Sequence, residues 1–151
     1  MIVFSPAPRC KPGVQRLVEP MTAACYLRLR RARSGMSRRD LAYRLSSAVQ
    51  PHYLVSPAAR VPALDEAMAL IDMLETDGAR ARYRWTIEAI SALIPVDVDV
   101  YHQLASDPEE RHPQVCRGCA CTEGDVASSG WAVANLCVSC LKRDAALAEV
   151  R

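Results

Sequence analysis

Two Cys-x-x-Cys pairs, Cys116/Cys119 and Cys137/Cys140, stand in the last quarter of the 151-residue chain with seventeen residues between them. No other feature narrows the possible folds as far. Each tight Cys-x-x-Cys turn aims two thiolates to one side, and two turns complete a tetrahedron around a metal at about 2.3 Å per bond. The spacing falls within the C-x2-C…C-x2-C pattern that reads as a zinc site. A segment this short cannot bury enough surface to fold alone, so metal binding must supply much of its folding free energy. Four thiolates close the coordination sphere, which makes the expected Zn2+ structural and not catalytic. Trp131, Val133 and Leu136 are the expected miniature core beneath it.

Cys121 is a fifth thiol beside the first pair. It is a possible substitute for Cys119 as ligand, a buried spectator, or a hydrogen-bonding neighbour. His112, four residues before Cys116, is within reach of the metal in sequence, but a lone surface histidine is the simpler reading. A disulfide or an iron–sulfur cluster are the rival uses of these cysteines. A redox Cys-x-x-Cys sits beside a βαβ pattern, and this chain has none.

The rest of the chain reads as helix. Only Phe4, Trp85, Trp131 and five tyrosines are large aromatics, so core volume must come from aliphatic side chains that suit helices better than sheets. After a proline-rich arm at 1–20, Cys25, Leu29 and Ala32, with Ala24 and Leu27 beside them, form an apolar stripe at helical spacing. Arg28, Arg30, Arg31 and Arg33 are expected to face away from it. Gly35 stops that helix, and Ser37 with Asp40 makes a capping box for the next, whose Leu41, Ala42 and Leu45 face inward. Residues 46–62 are broken by Pro51, Pro57 and Pro62. Leu64, Ala67, Met68, Ile71 and Leu74 then mark an amphipathic helix ending near Gly78. Ile87, Ile90 and Ile94 mark another, stopped by Pro95, and "DVDVYHQLA" supplies one more. The expected organisation is an arm (1–20), a helical domain (21–105), a linker (106–114) and a four-cysteine zinc-binding module with a terminal helix (115–151). The fold class is mainly α, a small helical bundle followed by a small zinc-ribbon or zinc-knuckle module.

Charge is unevenly spread. Residues 1–60 carry eleven basic residues against two acids, a net +9. Residues 61–110 carry three arginines against eleven acids, a net −8, and the remainder is +1. Such asymmetry points to a basic surface at one end, or to two halves that attract each other.

"YLRLRRARSGMSRRDLAYRL" resembles the first two helices of a phage-repressor-type helix-turn-helix domain through Leu27, Arg31, the Gly35–Met36–Ser37 turn, Leu41–Ala42 and Leu45. "IDMLETDG" is similar to the ending of that family's recognition helix. The resemblance covers residues 22–94. "CRGCACTEGD…SSGWAVANLCVSC" looks like the cysteine-rich tail of small proteins from phages and prophages of alphaproteobacteria. Further cysteines of such tails are replaced here near Ala127 and Gly130. The resemblance implies a DNA-binding transcriptional regulator in the cytoplasm of a bacterial host. Arg28, Arg31, Arg38, Arg39 and Arg44 would then contact the phosphates of double-stranded DNA.

The helix at 63–77 departs from that pattern. It carries Asp65, Glu66, Asp72, Glu75 and Asp77 and no basic residue, and five carboxylates between phosphates repel. The alternative is a protein-binding factor that uses those five acids against a host protein or ribonucleoprotein, such as a CRISPR effector or RNA polymerase. No P-loop, G-x-G-x-x-G, G-x-S-x-G or H-E-x-x-H is present, and His52, His102 and His112 are scattered, so no enzyme is expected. No apolar run reaches the roughly 18–20 residues of a membrane span.

Overall fold

The computed structural model of the protein describes residues 20–47, 63–126 and 130–149. The expected arm up to residue 19 and the proline-broken stretch at 48–62 lie outside the described residues. Within them the chain is mainly helical, with α1 (Ala23–Arg33), α2 (Arg38–Ser47), α3 (Leu64–Leu74), α4 (Arg84–Ser91) and α5 (Val98–Ser106). A 3-10 turn (Glu109–Arg111) and the one-turn α6 (Glu123–Val126) follow. A two-stranded antiparallel hairpin, β1 (Trp131–Val133) and β2 (Leu136–Cys137), leads into α7 (Val138–Glu149). None of these helices is long and apolar enough to cross a membrane.

Local chemistry accounts for most boundaries. The Thr22 side chain accepts from the Cys25 N–H at 3.0 Å and caps α1. Gly35 ends it at φ +69°, a conformation open to glycine at little cost. Ser37 and Asp40 form the anticipated reciprocal cap: the Ser37 N–H reaches Asp40 Oδ2 at 2.9 Å, and the Asp40 N–H reaches Ser37 Oγ at 3.1 Å. Asp97 caps α5 by accepting from the N–H groups of Asp99 and Val100. The apolar pattern over 87–94 resolves into a shorter helix, α4, and a tightened turn in which Ile94 still donates to the Ile90 carbonyl at 3.1 Å before Pro95.

One core gathers Tyr26 and Leu27 from α1, Leu41 and Leu45 from α2, Ile71 and Leu74 from α3, Ile87 and Ile90 from α4, and Tyr101 from α5. α2 packs on α3, while α5 packs on α1 and α4. The inward stripe of α1 is rotated from the one expected: Ala23, Tyr26, Leu27 and Arg30 are buried, and Ala32 is exposed. Arg30 can face inward because it has partners there. Its guanidinium lies 5.6 Å from the Tyr26 ring centroid and pairs with Asp125 at 2.5 Å. The Tyr26 hydroxyl in turn accepts from the Asp97 N–H at 2.9 Å, tying α1 to the start of α5.

The cysteine segment shares this core. Val115 and Ala120 are buried in the same cluster as the helical residues. Residues 106–114 hold the 3-10 turn and a contact of His112 Nε2 with the Asp107 carbonyl at 2.9 Å. A second, smaller cluster collects Cys116, Cys119, Cys121, Val126, Cys137 and Cys140, with Trp131 and Leu136 packed against it. Val133, expected in that small core, is 55% exposed instead; it points off the hairpin, and Val126 from α6 fills the place. α7 begins inside the second Cys-x-x-Cys and not after it, so Cys140 lies in its first turn.

Candidate metal centre

Cys116, Cys119, Cys137 and Cys140 are all buried, and their Sγ atoms lie within 4.8 Å of one another. Two turns bring them together. In the first, the Ala120 N–H donates to the Cys116 carbonyl at 2.7 Å, and the Cys116 N–H donates to the Cys121 carbonyl at 2.9 Å. Ala120 takes φ +59° to close this loop, a conformation that costs a non-glycine residue about 1–2 kcal/mol. In the second, the β1–β2 hairpin turns through Asn135 at φ +61°, which an asparagine tolerates. Asn135 also accepts the Arg117 N–H through its carbonyl at 2.9 Å, pinning the hairpin to the first turn.

Backbone donors are aimed at the sulfurs. The Cys137 N–H points at Cys116 Sγ at 3.4 Å, and the amides of Gly118 and Cys119 also donate to that sulfur. The hydrogen bond from the neighbouring Cys119 thiol and these amides outweigh burial and hold the Cys116 thiol down at about 4. Its neighbours are pushed the other way. Cys119 is raised because it shares its proton with Cys116 and is buried. Burial raises Cys140 to about 12. Adjacent thiolates disfavour each other's ionisation, because their negative charges repel. A divalent cation removes that repulsion, and binding it releases the protons. The donor set therefore fits a thiophilic metal ion.

Cys121 is buried beside the tetrad but outside it. Its carbonyl accepts from the Cys116 N–H at 2.9 Å, and its thiol interacts with those of Cys119 and Cys137. Burial raises its own thiol to about 11. His112 is likewise outside the group. Gly118 is needed for close approach, since a Cβ there would sit 2.8 Å from Cys140 Sγ. Gly118→Ala should therefore displace one ligand and lower metal affinity at least tenfold, measured by competition with a chromophoric chelator; unchanged affinity would show that the turn relaxes freely.

The predicted phosphate-contacting arginines divide into two sets. Glu75, wholly buried, accepts from Arg31 Nε at 2.5 Å and Nη2 at 2.9 Å, and from Arg38 Nε at 2.8 Å. Its backbone carbonyl accepts from Arg28 Nη2 at 2.9 Å. Arg31 also donates to the Met36 carbonyl at 2.8 Å, and Arg38 reaches Asp72 at 3.2 Å. Arg28, Arg31 and Arg38 are thus engaged by the end of α3. Arg39 and Arg44 are exposed on α2 beside Tyr43. Of the five acids expected on a helix at 63–77, Asp65, Glu66 and Asp72 lie on the shorter α3 and are exposed, Glu75 is its buried C-cap residue, and Asp77, beyond its end, accepts from the Thr22 hydroxyl at 2.8 Å.

Sequence reasoning missed two residues at the metal centre, Arg33 and Arg143. Arg33 donates to Cys119 Sγ at 3.3 Å and Arg143 to Cys140 Sγ at 3.2 Å. The i, i+3 spacing of Cys140 and Arg143 on one helix was a usable signal for the second; Arg33 lies 86 residues from its partner and left none. Compared with family models, curated proteins and solved structures, the chain matches none. Its class rests on its own geometry: a mainly helical protein with a buried cysteine tetrad that could hold a metal ion.

Proposed function

We propose that the protein is a zinc-stabilised, helix-turn-helix-type binding factor of phage or prophage kind, and that it engages a protein partner through the outward face of α3. Zinc is supported by the sulfur spacing. A regular tetrahedron with bonds of about 2.3 Å has sulfur–sulfur edges of about 3.8 Å, and Cys119 and Cys137 lie 3.7 Å apart. The helix-turn-helix reading is supported by the packing of α2 on α3 and by the capped Gly35–Ser37 turn that joins α1 to α2.

The observation that carries the protein-partner reading is the capture of Arg28, Arg31 and Arg38 by α3. Duplex affinity scales with the number of phosphates neutralised, and three of the five candidate cations already have intramolecular partners. The outward face of α3 exposes Asp65, Glu66, Ala69 and the 45%-exposed Met73, with Asp72 beside them paired to Arg38. That combination of carboxylates with a polarizable apolar side chain suits a basic protein groove better than a phosphate backbone. A second reading, double-stranded DNA, is favoured by exposed Arg39 and Arg44 flanking Tyr43 on α2.

A salt titration separates the two. Titrated with random duplex DNA, the zinc-loaded protein should show a slope of log affinity against log salt no steeper than about −2, the contribution of the two exposed arginines Arg39 and Arg44. A steep slope that Arg39→Ala with Arg44→Ala abolishes would overturn the protein reading in favour of DNA. Once a partner is in hand, Asp65→Lys with Glu66→Lys should weaken binding at least tenfold. Undiminished affinity would exclude the α3 face.

A further inference from the structure

We propose that Arg33 of α1 and Arg143 of α7 are the counter-charges of the metal centre, so that the metal affinity of the C-terminal cysteines is set in part by the first helix. The inference rests on the tetrad holding a divalent metal.

Four thiolates around a 2+ ion leave a net charge of −2, and a buried charge of that size needs compensation. Its two sides are treated differently. Cys116, on the inner side, receives backbone N–H groups from its own turn and from Cys137. Cys119 and Cys140 instead line a solvent-open groove of about 330 Å³ between α1 and the cysteine segment, together with Arg33, Gly118, Ser139 and Arg143. Each of these two sulfurs receives one guanidinium, at 3.3 Å and 3.2 Å. Two positive charges thus meet two negative ones on the side where water, chelators and competing electrophiles approach.

The two arginines have different origins. Arg143 belongs to the cysteine module and arrives with it. Arg33 is held in register by Arg30, one turn earlier on α1, which is buried against Tyr26 and paired with Asp125. Asp125 is itself fastened by the Thr122 N–H at 2.8 Å and the Thr122 hydroxyl at 3.0 Å. Removing Arg33 takes a counter-charge from the centre without touching a ligand. A charge-assisted N–H···S bond lowers the energy of the thiolate lone pair, so its loss raises both the basicity of Cys119 and its readiness to be protonated or displaced.

The test compares full-length wild type with Arg33→Met, Arg33→Lys and Arg143→Met, using Arg82→Met as a distant control. Zinc transfer to a chromophoric chelator should be about tenfold faster or more in Arg33→Met and Arg143→Met, with Arg33→Lys recovering part of the loss. In the Co2+-loaded proteins, the sulfur-to-metal charge-transfer band should move to lower energy in the two Met variants, which a merely structural role would not produce. Arg143 is on an exposed helix, so its variant keeps the test open if Arg33→Met does not fold. Wild-type transfer rates and an unmoved band in both Met variants would overturn the proposal while leaving the metal site intact. Absence of bound metal in the wild type would overturn the metal reading itself.

Discussion

Replacing Glu75 with alanine should destabilise the protein by about 3–5 kcal/mol, the cost of leaving a buried charge without its partner. Small domains have about 5–15 kcal/mol in total, so the urea midpoint should fall by a large fraction of its value. The size follows from the geometry: the Arg31 side chain is 12% exposed, makes a two-pronged contact with the fully buried carboxylate, and among the described residues also donates to the Met36 carbonyl. Asp72→Asn provides the contrast. Its pair with Arg38 is half exposed on both sides, and such pairs contribute less than about 1 kcal/mol. Equal losses in the two variants would show that the Glu75 cluster is no tighter than a surface pair. Glu75→Leu combined with Arg31→Met should recover much of the deficit, because a well-packed apolar pair avoids the desolvation of both ions.

Removal of the metal should have the second large effect, and it should reach beyond the cysteine segment. Structural zinc contributes about 10–16 kcal/mol to the folding of isolated finger peptides. Among the described residues, the second cluster holds Val126, Trp131 and Leu136 besides cysteines, too little to stand by itself. Chelation, or Cys116→Ser, should remove whatever metal the tetrad binds and expose Trp131, seen as a red-shifted emission. Val115 and Ala120 lie in the helical core, and Arg30 is paired with Asp125, so the melting temperature of the helical part should fall as well. A helical melting transition unchanged by chelation would mean that the two parts fold independently.

Much of this organisation was legible in the chain. The i, i+3, i+4 spacing of apolar residues located α2 and α3 and their buried faces, because helix periodicity is a local property. The Ser37–Asp40 cap could be read from residue type and spacing for the same reason. The cysteine tetrad was legible because a metal site imposes its own spacing on short turns. The same logic failed on α1. Periodicity there assigned Cys25, Leu29 and Ala32 to the inner face, and the structure turned Tyr26 and Arg30 inward, since an arginine's burial depends on whether distant partners exist to receive it. Val133 was misjudged for a related reason: a strand residue faces one side or the other according to register, and register in a short bulged hairpin is weakly specified by sequence.

The sequence by itself determined the helices, their caps and the four sulfurs, all set by interactions within a turn or two of chain. Only the tertiary structure decided how the charges are used. The excess of arginine at the front and of acid behind it was compatible with a basic surface or with mutual attraction. Bringing α3 against α1 and α2 placed Glu75 among Arg28, Arg31 and Arg38, and docking the cysteine turns on α1 placed Arg33 on a sulfur of the cysteine tetrad. Partners 37 to 86 residues apart leave no periodicity to read. Whether a charge faces solvent or a counter-charge is settled by packing, because the cost of burying it is removed only when the partner arrives.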